Sequence, residues 1–236
     1  MSTYSKDEII KKLEVAKSEM WKFYSQDFVN YRGKTSDKEG YYYYTEIIAK
    51  WLLDNIKLFN DIKMISRKNS YKVDSHDGKI KNEKSEREEE IMAMKLFDFS
   101  QNQGKVFDII GKIIDYQTPL KDIQTDKAGK IDLLAYNENE KTLRILELKK
   151  PDSKETMLRC VLEAYTYLKI VDKVKLLKDF GLPENIEIKA CPFVFYGKEQ
   201  YKEIQKNKEN LGQLIGKLGI EIIYLEEKDG EYNIVK

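Results

Sequence analysis

The stretch from Lys130 to Lys149 constrains this chain more than any other. Lys130-Ile131-Asp132-Leu133-Leu134-Ala135-Tyr136 and Thr142-Leu143-Arg144-Ile145-Leu146-Glu147-Leu148-Lys149 are strand-like runs joined by the polar Asn137-Glu138-Asn139-Glu140-Lys141, the pattern of a hairpin. Side chains alternate across a strand, so Leu143, Ile145, Glu147 and Lys149 share one face and Arg144, Leu146 and Leu148 the other. A carboxylate and an amine thus stand together in an otherwise apolar strand. Burying them is costly unless they are paired or hold a metal. The hairpin is able to set Asp132, the single acid of the first strand, beside Glu147.

Composition narrows the chemistry further. His76 is the only histidine, which excludes mechanisms that need two imidazoles and zinc sites built on histidine pairs. It lies in the polar stretch Asp74-Ser75-His76-Asp77-Gly78, which reads as a turn. If the chain is an enzyme, carboxylates and lysines carry the reaction. Lys and Arg number 42 against 41 Asp and Glu, for a formal charge of +1. That balance argues against a basic coating protein while leaving room for a local basic groove. No apolar run approaches the roughly 18–20 residues that span a bilayer, so no membrane is expected. The first residues are polar and then amphipathic, unlike a signal peptide. Cys160 and Cys191 sit among apolar residues without metal-ligand spacing. These features predict buried thiols and a cytoplasmic location.

Residues 1–62 read as a helical module. Ser5 and Glu8 form a capping box, followed by Ile9, Leu13, Ala16, Met20 and Phe23 at helical spacing. Ile47, Ile48, Trp51, Leu52, Ile56 and Phe59 suggest a second helix. Between them lie four tyrosines, Tyr41 to Tyr44, read either as packing between helices or as a stacking platform for bases. Residues 63–84 lack periodicity and read as a polar linker or hairpin. From residue 85 to 236 the pattern is α/β. A helix opens on a second capping box, Ser85 with Glu88, and strands follow near residues 106–116, 130–136 and 142–149. A helix is predicted over residues 154–178, a strand over 186–196, a lysine-rich helix over 198–218, and a closing hairpin through Asp229-Gly230. The expected fold class is α/β, a central mixed sheet flanked by helices.

Two convergent carboxylates make a hard-oxygen site suited to Mg²⁺, with Mn²⁺ as substitute. Lys149 would supply positive charge where a phosphoryl transition state develops negative charge. The competing reading of Asp132, Glu147 and Lys149 is a cross-strand ion pair on a solvated sheet face. Glu187-Ile188-Lys189 repeats the Glu-x-Lys spacing, but a helix and Gly181-Leu182-Pro183 precede it rather than an acid-bearing strand and a short hairpin.

Gly129-Lys130-Ile131-Asp132-Leu133-Leu134-Ala135-Tyr136, then, with fourteen residues intervening after Asp132, the run Glu147-Leu148-Lys149-Lys150, resembles the two central motifs of the PD-(D/E)XK nuclease superfamily. The helix–strand–strand–strand–helix–strand order over residues 85–196 is similar to its restriction-endonuclease-like core. The resemblance covers about half of the chain. It implies that Asp132 and Glu147 hold a divalent metal with help from the Leu148 carbonyl, and that Lys149 is catalytic. It also implies a glutamate on the helix before the sheet, for which Glu86, Glu88, Glu89 and Glu90 compete. Glu90 shares a stripe with Ala93 and Phe97 and is preferred, although all four also suit a helix N-terminus. On the helix after Lys149 the RecB-like branch carries Gln-x-x-x-Tyr. This chain has Glu163 and Tyr167, one turn apart, as candidate substrate-binding residues. An Arg159–Glu163 surface pair is the ordinary alternative.

Lys169, Lys173, Lys175, Lys178, Lys198, Lys202, Lys206 and Lys208 would contact phosphates or form a solvated face. The expectation is a Mg²⁺-dependent phosphodiesterase acting on nucleic acid, DNA in preference to RNA, with a homodimer as one option. The alternative is a catalytically silent nuclease-like module that binds nucleic acid or a protein partner.

Overall fold

The computed structural model describes residues 4–38, 40–80, 87–122, 129–206 and 208–235. Its centre is a six-stranded mixed sheet in sequential order: β3 (Lys112–Pro119), β4 (Lys130–Asn137), β5 (Thr142–Leu148), β6 (Glu187–Phe195), β7 (Ile223–Lys228) and β8 (Glu231–Val235). β1 (Lys34–Asp37) and β2 (Gly40–Tyr43) form a separate small hairpin. Within the large sheet β3–β4, β4–β5 and β7–β8 are antiparallel, whereas β5–β6 and β6–β7 are parallel. Parallel neighbours need crossovers. α4 (Met157–Ile170) and α5 (Lys173–Asp179) supply one, and α6 (Glu199–Ile204) and α7 (Glu209–Leu218) the other.

The alternation read from β5 divides the core. Leu143 and Ile145 pack with α4 and α7, and Leu146 and Leu148 with α3 (Glu88–Gln101). α1 (Lys6–Ala16) and α2 (Tyr44–Asp54) join the first of these clusters through Ile9, Leu13, Ile48 and Leu52. The N-terminal helices therefore cover one face of the sheet and share its core. Each fully buried Leu or Ile contributes about 1.5–3 kcal/mol, which offsets the several kcal/mol that each ion embedded among them costs. Among the described residues no helix is long and apolar enough to cross a membrane.

Several boundaries differ from the sequence reading. The Ser5–Glu8 capping box forms, but α1 ends at Ala16 and the chain continues as 3₁₀ turns from Lys17 to Ser25. The second helix stops at Asp54 and gives way to a 3₁₀ segment, Ile56–Asp61. Ser85 and Glu86 lie outside the described residues, as do Lys81 and Lys84. The strand expected from residue 106 begins at Lys112. Val106 is exposed, and Phe107 instead closes a tight bridge with Gly111. The helix expected over 154–178 breaks after Ile170, where Asp172 caps α5 by accepting from the Lys175 amide. The helix expected over 198–218 is likewise two, α6 and α7. Of the tyrosines between the two helices, Tyr41 to Tyr43 lie in a strand and Tyr44 opens α2. Residues 62–80 have no helix or strand, yet they are tied down. Arg67 donates to Ser70 and Lys121 carbonyls, and Tyr71 is fully buried, its amide donating to Asp179 and its hydroxyl accepting from the Asp172 amide.

Candidate active site

The β4–β5 register pairs Leu133 with Leu146, which sets Asp132 across from Glu147. Asp132 Oδ2 accepts from the Leu148 amide at 2.9 Å, and its Oδ1 accepts from Gln117 Nε2 at 3.0 Å. Gln117 is in β3 with φ +49°, a left-handed conformation costly for a residue with a Cβ. The strand is thus strained where its side chain meets Asp132.

Glu147 and Lys149 are only 4% and 5% exposed. Lys149 Nζ lies 2.7 Å from Glu147 Oε1, 3.0 Å from Glu155 Oε2 and 3.3 Å from Glu163 Oε2. Tyr167 donates to Glu163 Oε1 at 3.1 Å. Glu147 Oε2 is buried without a hydrogen-bond partner. Arg159 pairs with Glu155 at 2.9 Å, not with Glu163, which is buried. The surface-pair explanation of Glu163 is therefore wrong. Nor do Glu147 and Lys149 form a solvated ion pair, because both are buried; of the three only Asp132, on β4, is half-buried.

One ammonium facing this many acids leaves the cluster with excess negative charge, and its titration follows. Burial pushes the Asp132 carboxyl up to about 7, aided by Glu163 and Glu89 and opposed by Lys149 and the Leu148 amide. Burial, then Asp132 and Glu163, hold Glu147 well above the usual carboxylate range. Burial pulls the Lys149 ammonium down, but Glu147 and Glu163 outweigh it and keep it well above the ordinary lysine value.

A cleft of about 510 Å³ runs past Glu89, Gln117, Asp132, Lys150, Lys154 and Glu155. Asp132 faces this cleft, while Glu147, Lys149, Glu163 and Tyr167 form the buried layer behind it. Glu163 and Tyr167 therefore reach Lys149 rather than the cleft surface. On α3 it is Glu89 that meets the motif, accepting from the Lys150 amide at 3.0 Å. Glu88 pairs with Lys150 Nζ at 2.9 Å, and Glu90 pairs with Arg87 at 3.3 Å. The preferred Glu90 lines the same cleft, as does its partner Arg87, but its ion pair is with Arg87 rather than with the motif.

Sequence reasoning missed Gln117 and Glu155, and named Glu89 only as one of four competing glutamates. Glu155 had a signal, since it stands one turn before Arg159 and two before Glu163. Gln117 had none, because an unusual φ leaves no trace in a single sequence. Of the candidate phosphate-binding lysines, Lys208 is buried on Glu203 and Thr45, and Lys175 pairs with Asp179. The Glu187-Ile188-Lys189 repeat is an exposed acid with a half-buried lysine 3.5 Å away.

Among the described residues no group of three or more His, Cys, Asp or Glu side chains is arranged to hold a metal ion. The site is a carboxylate pair that any ion would share with backbone and solvent. Asp132 and Glu147 provide hard oxygen donors, and Glu147 Oε2 is buried with no hydrogen-bond donor in reach, so the set fits a small divalent cation. Comparison with protein families, characterised proteins and solved structures finds no match.

Proposed function

We propose that this chain is a divalent-metal-dependent phosphodiesterase acting on nucleic acid, DNA in preference to RNA, built on a restriction-endonuclease-like core. The observation that carries the reading is the charge imbalance at β5. Asp132, Glu147, Glu155 and Glu163 surround Lys149, and the buried Glu147 Oε2 lacks a partner. Such a cluster is relieved by a proton or by a cation. The run α3, β3, β4, β5, α4, β6, with two antiparallel pairings and then a parallel one, supports the same reading, as it is the order the resemblance implies.

Asp132, Glu147 and the Leu148 carbonyl would hold Mg²⁺ or Mn²⁺, which supplies Lewis-acid polarisation of a phosphoryl oxygen and activation of water. The chain's own groups do the rest. Gln117 and the Leu148 amide fix the Asp132 carboxylate. Lys149, kept charged by Glu147 and Glu163, offers a preorganised cation to developing negative charge. Tyr167 aims Glu163 at that ammonium.

The test is cleavage of labelled linear duplex, single-stranded and circular DNA with Mg²⁺, Mn²⁺ or EDTA, alongside melting of wild type and Asp132→Ala. Metal-dependent cleavage and metal-induced stabilisation, both lost in the variant, are expected. No cleavage together with no Mn²⁺ stabilisation would leave the second reading, a silent binding module. That reading is favoured by the closed contact of Lys149 on Glu147 Oε1, which a metal would have to share.

A further inference from the structure

Beside the Asp132 cleft lies a second cavity of about 320 Å³, and the two share Arg87, Glu90 and Gln117 in their walls. His76 faces it, and this imidazole is oriented. Its Nδ1 is 2.7 Å from Asp115 Oδ1, Asp115 Oδ2 accepts from Thr118 at 2.6 Å, and the ring lies over Tyr116 with centroids 4.4 Å apart. Asp115 is only 2% exposed, so it needs these partners. Pinning Nδ1 leaves Nε2 as the free end of the ring. That nitrogen makes no hydrogen bond among the described residues, and the side chain keeps 16% of its surface exposed.

Lys130 is the second uncommitted group. It precedes Asp132 by two residues on β4, lines the cavity, is exposed, and has no ion pair among the described residues. The other two cations of the wall are partly offset, Lys79 by Asp77 at 3.9 Å and Arg87 by Glu90 at 3.3 Å. Ile91 and Met94 add an apolar surface. An ammonium suits a phosphate group, and so does the doubly protonated imidazole, in which Nδ1–H donates to Asp115 and Nε2–H to a phosphate oxygen; an apolar wall beside them suits a sugar or a flat ring.

We propose that this cavity is a subsite for one nucleotide of a nucleic-acid chain, with Lys130 Nζ and His76 Nε2 on its phosphate and Ile91 and Met94 along its sugar or base. The proposal rests on the hydrolase reading above, since it places this nucleotide next to the phosphodiester at Asp132. It also gives a role to a histidine that the carboxylate chemistry does not use.

The sole histidine is its own reporter. Full-length protein labelled with ¹⁵N-histidine, in EDTA, is titrated with thymidine 5′-monophosphate while the one imidazole spin system is followed. The expected result is a saturable shift of the ring signals. Lys130→Gln should weaken binding about tenfold, the loss of one charged hydrogen bond, and Lys130→Arg should restore it. Thymidine without phosphate should bind about tenfold more weakly as well. An unmoved ring, an unchanged affinity in Lys130→Gln, or inorganic phosphate binding as tightly as the nucleotide would each overturn the assignment. Mn²⁺ binding, measured by calorimetry on the same protein without chelator, separates the two readings. Nucleotide binding without Mn²⁺ binding sinks the metal-dependent hydrolase and keeps the pocket, whereas Mn²⁺ binding with an unmoved ring does the reverse.

Discussion

Lys149 Nζ and Glu147 Oε1 are 2.7 Å apart at the buried end of one sheet face, and the same ammonium also meets Glu155 and Glu163. Strand alternation makes the first contact local, since residues i and i+2 point the same way. The other two come from the loop after β5 and from α4. Removing the ammonium strands three acids at once. Lys149→Ala should therefore cost about 3–5 kcal/mol, the usual result of breaking a buried pair from one side. Mn²⁺ should recover part of that loss by replacing the missing charge. Chemical denaturation with and without Mn²⁺ checks both statements. A variant as stable as wild type would show that Lys149 is not what balances these carboxylates.

Asp132 gives a pH dependence with a definite sign. Its carboxyl titrates near 7 in the fold, against 3.8 ordinarily. Between those values the folded protein binds a proton that the unfolded chain has released. Metal-free stability from this group is therefore present below about pH 4 and falls as pH rises to about 7. The loss should be on the order of 2–4 kcal/mol, absent in Asp132→Asn, and reduced by Mg²⁺, which favours the ionised form. Melting curves from pH 4 to 8 in EDTA and in Mg²⁺ test it. A wild-type profile that superposes on that of Asp132→Asn would rule out the raised carboxyl.

The hairpin that carries Asp132 and Glu147 was legible because each feature is local: period-two alternation, a polar five-residue loop, and acids in apolar runs. The core faces of β5 follow from the same alternation. What escaped depends on distant partners or on small angles. Glu89 and Glu90 differ by one step of about 100° around α3, which composition does not resolve. Tyr41 to Tyr43 form a short strand only because residues 34–37 pair with them. Arg67, Tyr71 and His76 fasten a segment with no periodicity by meeting Lys121, Asp172 and Asp115, contacts that span tens of residues. Gln117 owes its place to a backbone angle that its residue type does not favour.

Gly129 and Tyr167 form a steric lock beside the site. Gly129 has φ +60°, and a Cβ there would collide with the Tyr167 hydroxyl. That hydroxyl also donates to Glu163. Gly129→Ala should cost about 1–3 kcal/mol from the backbone conformation and the clash together. Tyr167→Phe removes the clashing atom, so the double variant should lose less than the sum of the two single losses. Additive losses in a double-mutant cycle would show that the two residues do not press on each other.

The N-terminal segment holds the loop that brings Glu155 to Lys149. Arg32 Nη2 donates to the Glu155 carbonyl at 2.9 Å, and Gln200 donates to the same oxygen at 2.8 Å. Asn30 accepts from the Thr156 amide at 2.7 Å, and the Thr156 hydroxyl donates to the Val29 carbonyl at 2.8 Å. These bonds fix the start of α4 and hence the approach of Glu163 to the same ammonium. Asn30→Ala and Arg32→Ala should each cost about 1–3 kcal/mol. Amide exchange should rise first at residues 153–157 while the β5 amides stay protected. Mn²⁺ affinity should fall less than in Asp132→Ala, because the loop acts through Lys149 and not on the carboxylate pair. If exchange rose equally in β5 and in the loop, the contacts would be part of global stability and would not hold this loop locally.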